Sequence, residues 1–498
     1  MIGWIRCAMT TCAALALVAC ETTGGVVGSK ECGAGFVDDA SAASGKSLKK
    51  FENNFRCAGP ELVGAADAFA AKAPSGELRL AFRRLFLEGE RNAVLNYQRV
   101  AMVAMAQGQW SLAERALDRA LGRIEAIYAN NEQAEKARSV FSAEEVKDFK
   151  GEPYERSMAY YYRGLLYASK GDYQNARAMF LQADYQDTLS DSERFAGDFG
   201  IMPMLAAWAS ACDGNDNLAK DYMQRGIQAD ASLSEFDAGK PLLLIYESGR
   251  APYKFNTGKY GEALKWMPHA QPDGVPTDAV CVQPAPEKTG VQAGSDAALS
   301  QKKGAAKPRP LAKAPDAPTA VAAAPLCVPR LFKAGDVGFQ AMTRGGRAVD
   351  TVLKGKASFK EGAQTVADVS QTVATVALMS SLQNNNRDMA NLGLAGLFIG
   401  LAAQVAEQNA QAKADIREWE QLPKALWVGQ LAGKTQDTTL RMGGQSLQRL
   451  GDDLNAQCKV FWGREVSPAK NFYEAGPVAP SLDKRDEAFR AELIELLS

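Results

Sequence analysis

The sequence predicts a mainly α chain, in which an N-terminal helical-repeat array is followed by a smaller α+β domain with a long Gly-containing helix. Three observations carry this expectation. A Gly-x-aromatic turn recurs before evenly spaced alanines, the apolar spacing changes from helical to strand-like near residue 236, and a long uncharged helical pattern follows later. With 498 residues, 46% hydrophobic and 23% charged, the chain is long enough for two or three domains with substantial cores.

The repeat is read from residues 61–235. Gly108-Gln109-Trp110 followed by Ala113, Leu117 and Ala120 recurs as Gly171-Asp172-Tyr173 followed by Ala176, Phe180 and Ala183, and a weaker copy has Gly214, Ala219, Met223 and Gly226. Each Gly can end one helix in a left-handed cap, the aromatic residue packs into the turn, and the small Ala lets paired helices approach closely. Tyr160, Gly164 and Tyr167 on the helix before the second turn match what a tetratricopeptide (TPR) pattern prefers. Between the first two copies, Pro153 suits a helix start, with Glu152 and Glu155 near the positive end of its dipole.

The α+β domain is expected to start over 236–282 and to resume over 327–498. Pro241 to Tyr246 reads as a buried strand, and Gly249-Arg250-Ala251-Pro252 as a tight connection. Residues 283–326 hold seven prolines and six Lys/Arg against three acidic residues, without apolar periodicity, and are expected to be a disordered Pro/Ala-rich linker. A short strand, a helix from about Val337 to Leu353 and a long helical stretch from Phe359 to Glu420 should follow. Within that stretch, 390–406 is uncharged and carries Gly396 and Gly400 as a G-x-x-x-G pair, which suits a buried helix, a membrane-inserting segment or a subunit contact. Trp427 to Leu431 and Thr438 to Met442 are expected to form a hairpin. Lys459 to Trp462 should be the last strand, and Asp483 to Leu497 a closing amphipathic helix.

The first sixty residues bear on location. Arg6, the apolar run from Ala8 to Ala19, and Leu17-Val18-Ala19-Cys20 read as a signal peptide over 1–19 that closes on a lipobox. Cys20 is the expected lipidation site, with a small polar tether over 20–60. Two or more acyl chains anchor firmly at about 0.8 kcal/mol per buried methylene. Residue 21 is Glu, not the Asp that commonly retains lipoproteins at the inner membrane, so the expected location is the outer membrane, periplasmic side.

Composition narrows the function. Lys+Arg 57 against Asp+Glu 58 gives no argument for a nucleic-acid partner. His269 is the only histidine, in a Pro-flanked stretch, which argues against His-based triads, zinc sites and proton shuttles. Of the nine cysteines, Cys32 with Cys57 and Cys281 with Cys327 are candidate disulfides in an oxidising compartment. Cys212 and Cys458 are left over, and Cys212 equally suits a free buried thiol. A Walker A loop, a G-x-G-x-x-G after a strand, a G-x-S-x-G elbow and an S-x-x-K with its supporting motifs are missing from the sequence. Acid/base chemistry on a glycan would rest on Glu152 with Glu155, or on Asp415 beside Arg417, and surface carboxylates look the same. No cofactor or metal is expected.

Three stretches carry a family resemblance: Lys150-Gly151-Glu152-Pro153-Tyr154-Glu155-Arg156 through Ala176, then Gly249-Arg250-Ala251-Pro252, then Ala414-Asp415-Ile416-Arg417-Glu418-Trp419 through Leu422-Pro423. In this order they resemble an uncharacterised family of bacterial TPR-containing outer-membrane lipoproteins. Some of these are encoded near penicillin-binding-protein-activator or curli-export-like lipoproteins. The resemblance implies an envelope role without a defined activity.

The expected function is a lipid-anchored periplasmic scaffold, not an enzyme, that docks another envelope protein as a helix or extended peptide in a TPR groove. Tyr154, Arg156, Tyr160 and Tyr161 are the expected partner-binding residues on the repeat surface. Arg250 is an outlying contact, although a structural salt bridge suits it as well. The other partner is outer-membrane lipid through acylated Cys20, and homo-oligomers are possible. The alternative is a pore or secretion component that uses 390–406 for insertion or oligomerisation.

Overall fold

The computed structural model describes residues 60–129, 148–188, 197–257, 263–269, 274, 276, 278–282, 325–343, 415–442, 444–453, 456–468 and 485–497. The expected signal peptide over 1–19, Cys20, Cys32, Cys57, nearly all of the expected linker over 283–326 and the run 390–406 lie outside the described residues.

Among the described residues, eight α-helices form the N-terminal layer: α1 (Pro60–Ala70), α2 (Gly76–Glu88), α3 (Ala93–Ala106), α4 (Trp110–Ala129), α5 (Pro153–Ser169), α6 (Tyr173–Thr188), α7 (Ile201–Cys212) and α8 (Asp216–Ala229). Consecutive helices pack as pairs, and the turns of the last three pairs share one geometry. Gly108, Gly171 and Gly214 have φ of 68°, 78° and 76°. After each, a backbone N–H reaches back to the last helical turn: Gln109 to Ala104 O at 2.9 Å, Asp172 to Tyr167 O at 3.1 Å, and Asn215 to Ser210 O at 2.9 Å. These are Schellman caps, which satisfy the carbonyls that a helix end leaves without partners.

The small-against-large fit inside a pair is visible at Gly164, where an added Cβ would lie 2.5 Å from the Phe180 ring. Helix propensity favours Ala over Gly by about 1 kcal/mol, while overpacking costs about 1–3 kcal/mol. Because the obstacle is a buried ring, Gly164→Val is expected to destabilise the chain by about 1–3 kcal/mol, read as a lower urea midpoint. An unchanged midpoint would contradict this fit.

The C-terminal part centres on a six-stranded mixed sheet, ordered β6-β7-β1-β10-β9-β8. Its strands are β1 (Leu242–Ser248), β6 (Phe332–Asp336), β7 (Ala425–Leu431), β8 (Thr439–Met442), β9 (Gln445–Arg449) and β10 (Lys459–Arg464). Two ribbons stand apart from it, β2 (Tyr253–Thr257) with β3 (Ala263–Met267), and β4 (Val280–Val282) with β5 (Leu326–Val328). β1 is buried along its whole length and runs parallel to β10 and antiparallel to β7. Alternation then divides the side chains between two cores. Leu243, Ile245, Val460 and Trp462 join the core of the helices, whereas Leu242, Leu244, Tyr246 and Phe461 face a second core with Val280 and Val282 of the β4–β5 ribbon.

Three expectations are corrected. β7 and β8 do not form a hairpin: β7 lies between β1 and β6, and β8 pairs with β9 at the far sheet edge. Residues 415–420, expected to end a helix, are coil and turn, because their backbone and side chains bond to the array and to β2. The closing helix α10 (Asp486–Leu496) is shorter than expected, while helix α9 (Val337–Thr343) reaches the last described residue, so the rest of its expected span to Leu353 lies outside the described residues. Moreover α10 lies against the array, with Phe489 6.0 Å from the Tyr97 ring, Glu492 2.9 Å from Arg123 and Asp486 Oδ1 accepting from Glu90 N at 2.9 Å.

The structure joins Cys281 to Cys327 across the β4–β5 ribbon, and Cys212 at the end of α7 to Cys458 before β10. The second bridge ties array to sheet. Beside it the Tyr173 hydroxyl accepts from Cys458 N at 2.8 Å and donates to Cys458 O at 3.1 Å. Among the described residues, no helix is long and apolar enough to cross a membrane.

Candidate functional site

The three motif stretches, far apart in sequence, meet in one buried cluster between array and sheet. The first opens α5. Gly151 has φ of 74°, Pro153 takes the first helical position, and Glu155 turns back so that its Oε2 accepts from Glu152 N at 2.6 Å. Its other oxygen accepts from Trp419 N at 2.7 Å, in the third stretch. The second stretch makes the turn from β1 into β2 and delivers Lys254, whose side chain is 1% exposed. Lys254 Nζ lies 2.9 Å from Glu155 Oε2 and 3.6 Å from Glu152 Oε1, and donates to Arg417 O at 3.0 Å. Its backbone N donates to Glu418 Oε2 at 2.6 Å.

From there the polar contacts run along the interface. Asp415 takes three bonds from the Arg417 guanidinium, which also donates to Asn92 Oδ1 at 2.7 Å and lies 5.5 Å from the Phe149 ring centre. Glu420 forms a two-point pair with Arg99, and Arg99 continues to Asn96, which donates to Glu88 beside Arg84. A second group sits under β1. Glu247 accepts from Tyr162 at 2.9 Å and Trp462 Nε1 at 2.9 Å, and lies 3.1 Å from Arg464 Nε.

Burial sets the electrostatics. Burial opposes charge on Lys254, but the carboxylates of Glu155 and Glu152 outweigh it and hold the ammonium above its usual range. Burial would likewise raise Glu88, yet Arg84 and Arg99 bring it down to about 2. Burial dominates at Glu418 and pushes its carboxyl up to about 8, partly opposed by Lys254.

The last two carboxyls have opposite consequences for stability. Between the ordinary carboxyl value of 4.5 and about 8, folded Glu418 keeps a proton that the unfolded chain has lost, so its contribution falls as pH rises. Glu88 stabilises above 4.5, and its contribution is lost as pH falls toward about 2. Glu418→Gln is therefore expected to raise the thermal midpoint most near pH 8 and least near pH 5. An equal shift at both pH values would contradict the buried, protonated carboxyl.

The residues expected to bind a partner lie elsewhere than on an open surface. Tyr154, Arg156, Tyr160 and Tyr161 are 2%, 4%, 2% and 0% exposed. Tyr154 faces Trp266 of β3, Arg156 donates to Gln186 Oε1 at 2.6 Å, Tyr160 to Glu125 at 3.0 Å, and Tyr161 approaches Glu247 at 3.5 Å. The reason is physical: the sheet and the 415–424 segment cover the face of α5 that a free repeat array would offer. Arg250 is half-buried in the β1–β2 connection, where Gly249 N donates to Glu465 at 2.8 Å. Glu152 and Glu155 are both engaged by Lys254, and Asp415 by Arg417. The His269 ring lies 5.4 Å from the Tyr253 ring, tilted by 58°.

Lys254, Glu418, Glu420, Glu247 and Arg464 were not singled out from the sequence. One signal for them was available, because three consecutive tyrosines spaced 100° apart on a helix cannot share one face, so α5 must be covered on several sides. Among the described residues, no group of three His, Cys, Asp or Glu side chains could hold a metal ion. Comparison with protein-family models, curated proteins and solved structures returns no match for this chain.

Proposed function

We propose that the chain is a lipid-anchored scaffold on the periplasmic side of the outer membrane, which docks another envelope protein through the outward helices of a TPR-like array. The observation that carries this reading is the buried cluster. Its carboxylates and cations are engaged with one another and with backbone, an arrangement suited to fixing two layers rigidly and poorly suited to turning over a substrate. The Schellman turns with their Ala and aromatic spacing support the TPR-like reading, and two disulfides support an oxidising compartment. Since α5 is covered, the docking surface moves to α6 and α8. Only Ala219 and Gly226 of α8 are buried, and α6 exposes Tyr185.

The test uses the full chain in its own envelope with a photo-crosslinking residue at Tyr185, in forms with Cys20 intact and with Cys20→Ala. The expected result is one discrete protein adduct, a palmitate label that depends on Cys20, and release of the Cys20→Ala form from the membrane fraction. No adduct from Tyr185, or membrane retention and labelling that survive Cys20→Ala, would overturn the reading.

A further inference from the structure

The two disulfides differ in their surroundings. Cys212 and Cys458 are 4% and 3% exposed and belong to the core that array and sheet share. Cys281 and Cys327 are both exposed, at the middle positions of β4 and β5. The register accounts for this. Val280 pairs with Val328, Cys281 with Cys327 and Val282 with Leu326, so alternation turns the four apolar side chains toward the sheet and both cysteines toward solvent.

The ribbon covers the second core. Val280 and Val282 belong to that core, and Leu326 and Val328 pack against it. β4 contacts β8 and β5 contacts β7, two strands that lie on either side of β1, β10 and β9 in the sheet. The ribbon therefore crosses the face that carries Leu242, Leu244, Tyr246 and Phe461. On the β7 side the approach is close: a Cβ added at Gly429 would lie 3.3 Å from Val328 Cγ1, and one at Gly433 2.9 Å from Leu326 Cδ1.

The disulfide is the firm link between the two arms of this cover. Each strand has three residues, and a two-stranded ribbon by itself is marginal in water. The cysteines are 46 positions apart, so no tight turn joins the strands and pairing them means closing a long loop.

We propose that Cys281–Cys327 is a thiol–disulfide exchange site for a dithiol reductant, and that its opening releases the β4–β5 ribbon and uncovers the apolar face of the sheet. Exchange needs a thiolate to reach a disulfide sulfur, which the exposed pair allows and the buried pair does not. A thiolate of the reductant attacks one of the two sulfurs and forms a mixed disulfide, and the other cysteine leaves as a thiolate and takes up a proton. The second thiol of the reductant then displaces the remaining cysteine. Two electrons and two protons pass to the cysteines, and the reductant leaves as its own disulfide. The site lies apart from α6 and α8, where the scaffold reading places docking.

The experiment treats the oxidised, folded full chain with increasing dithiothreitol, blocks free thiols with N-ethylmaleimide and maps the labelled cysteines by mass spectrometry. Hydrogen exchange and the fluorescence of a dye that binds apolar surface are followed in parallel. The expected result is labelling of Cys281 and Cys327 while Cys212 and Cys458 stay unlabelled, with loss of protection at 280–282 and 326–328 and a rise in dye fluorescence. A form with Cys281→Ser and Cys327→Ser is expected to show the raised fluorescence before any dithiothreitol is added. Labelling of Cys212 and Cys458 at the same dose as Cys281 and Cys327 would overturn the proposal. So would an opened Cys281–Cys327 bridge with unchanged exchange and dye binding, or a folded paired-serine form that binds dye no better than the oxidised chain. The reduction of the unaltered chain decides the matter by itself if the paired-serine form fails to fold.

Discussion

Replacing Glu155 with Ala is expected to destabilise the folded chain by about 3–5 kcal/mol, the usual cost of removing one partner from a buried ion pair. The single carboxylate serves three groups: Lys254 Nζ, Trp419 N and Glu152 N. Its loss takes the nearest carboxylate from a buried ammonium, which keeps Glu152 at 3.6 Å and Arg417 O at 3.0 Å, and takes the acceptor from two backbone donors. Lys254→Met should cost less, because Glu155 then keeps both backbone donors. Together the substitutions should be far from additive, since each removes the same contact. Urea denaturation of the two single variants and the double variant measures this. Additive losses would mean that Glu155 and Lys254 act independently, contrary to their 2.9 Å separation.

Removing the Cys212–Cys458 bridge through Cys212→Ala and Cys458→Ala is the second large effect, with an expected loss of about 2–5 kcal/mol. The bridge spans 246 positions and the Cys281–Cys327 bridge 46. On the chain-entropy account, the longer loop contributes about 1.5 kcal/mol more, because it restrains more of the unfolded ensemble. Comparing the denaturation midpoints of the two paired-alanine forms tests this. If losing the Cys281–Cys327 bridge is the costlier change, the restraint between array and sheet is not what the longer bridge contributes.

How much of this was legible in the sequence follows the distance over which each feature is determined. The Schellman turns at Gly108, Gly171 and Gly214 are local, so glycine and alanine spacing pointed to all three, with an aromatic residue two positions later in the first two. β1 and β10 were legible for the same reason, as short apolar runs bounded by turn residues. Pairing was not legible. β7 and β8 are neighbours in the chain and read as a hairpin, but β7 is taken by β1 and β6, whose residues lie far from it in sequence.

The site divides the same way. Glu152, Glu155, Asp415 and Arg417 were noticed as charged residues within motif stretches, and a solvated helix face would look identical. What makes them a buried cluster is Lys254, 99 positions from Glu155, and Trp419, 264 positions from it. The tyrosines of α5 were assigned to an open groove because a helix pair in isolation exposes them. Their cover comes from the sheet, which the local pattern does not encode.

The central claim is that array and sheet form one cooperative unit held together through Glu155, Lys254 and the 415–424 segment. Native-state hydrogen exchange of the full chain at increasing denaturant tests it most directly, by comparing the amides of α5 (Pro153–Ser169) with those of β1 (Leu242–Ser248). Both elements are expected to open at the same free energy in the unaltered chain, and β1 to open first in Glu155→Ala. If β1 exchanges freely while α5 stays protected in the unaltered chain, the two layers are separate units and the cluster does not join them.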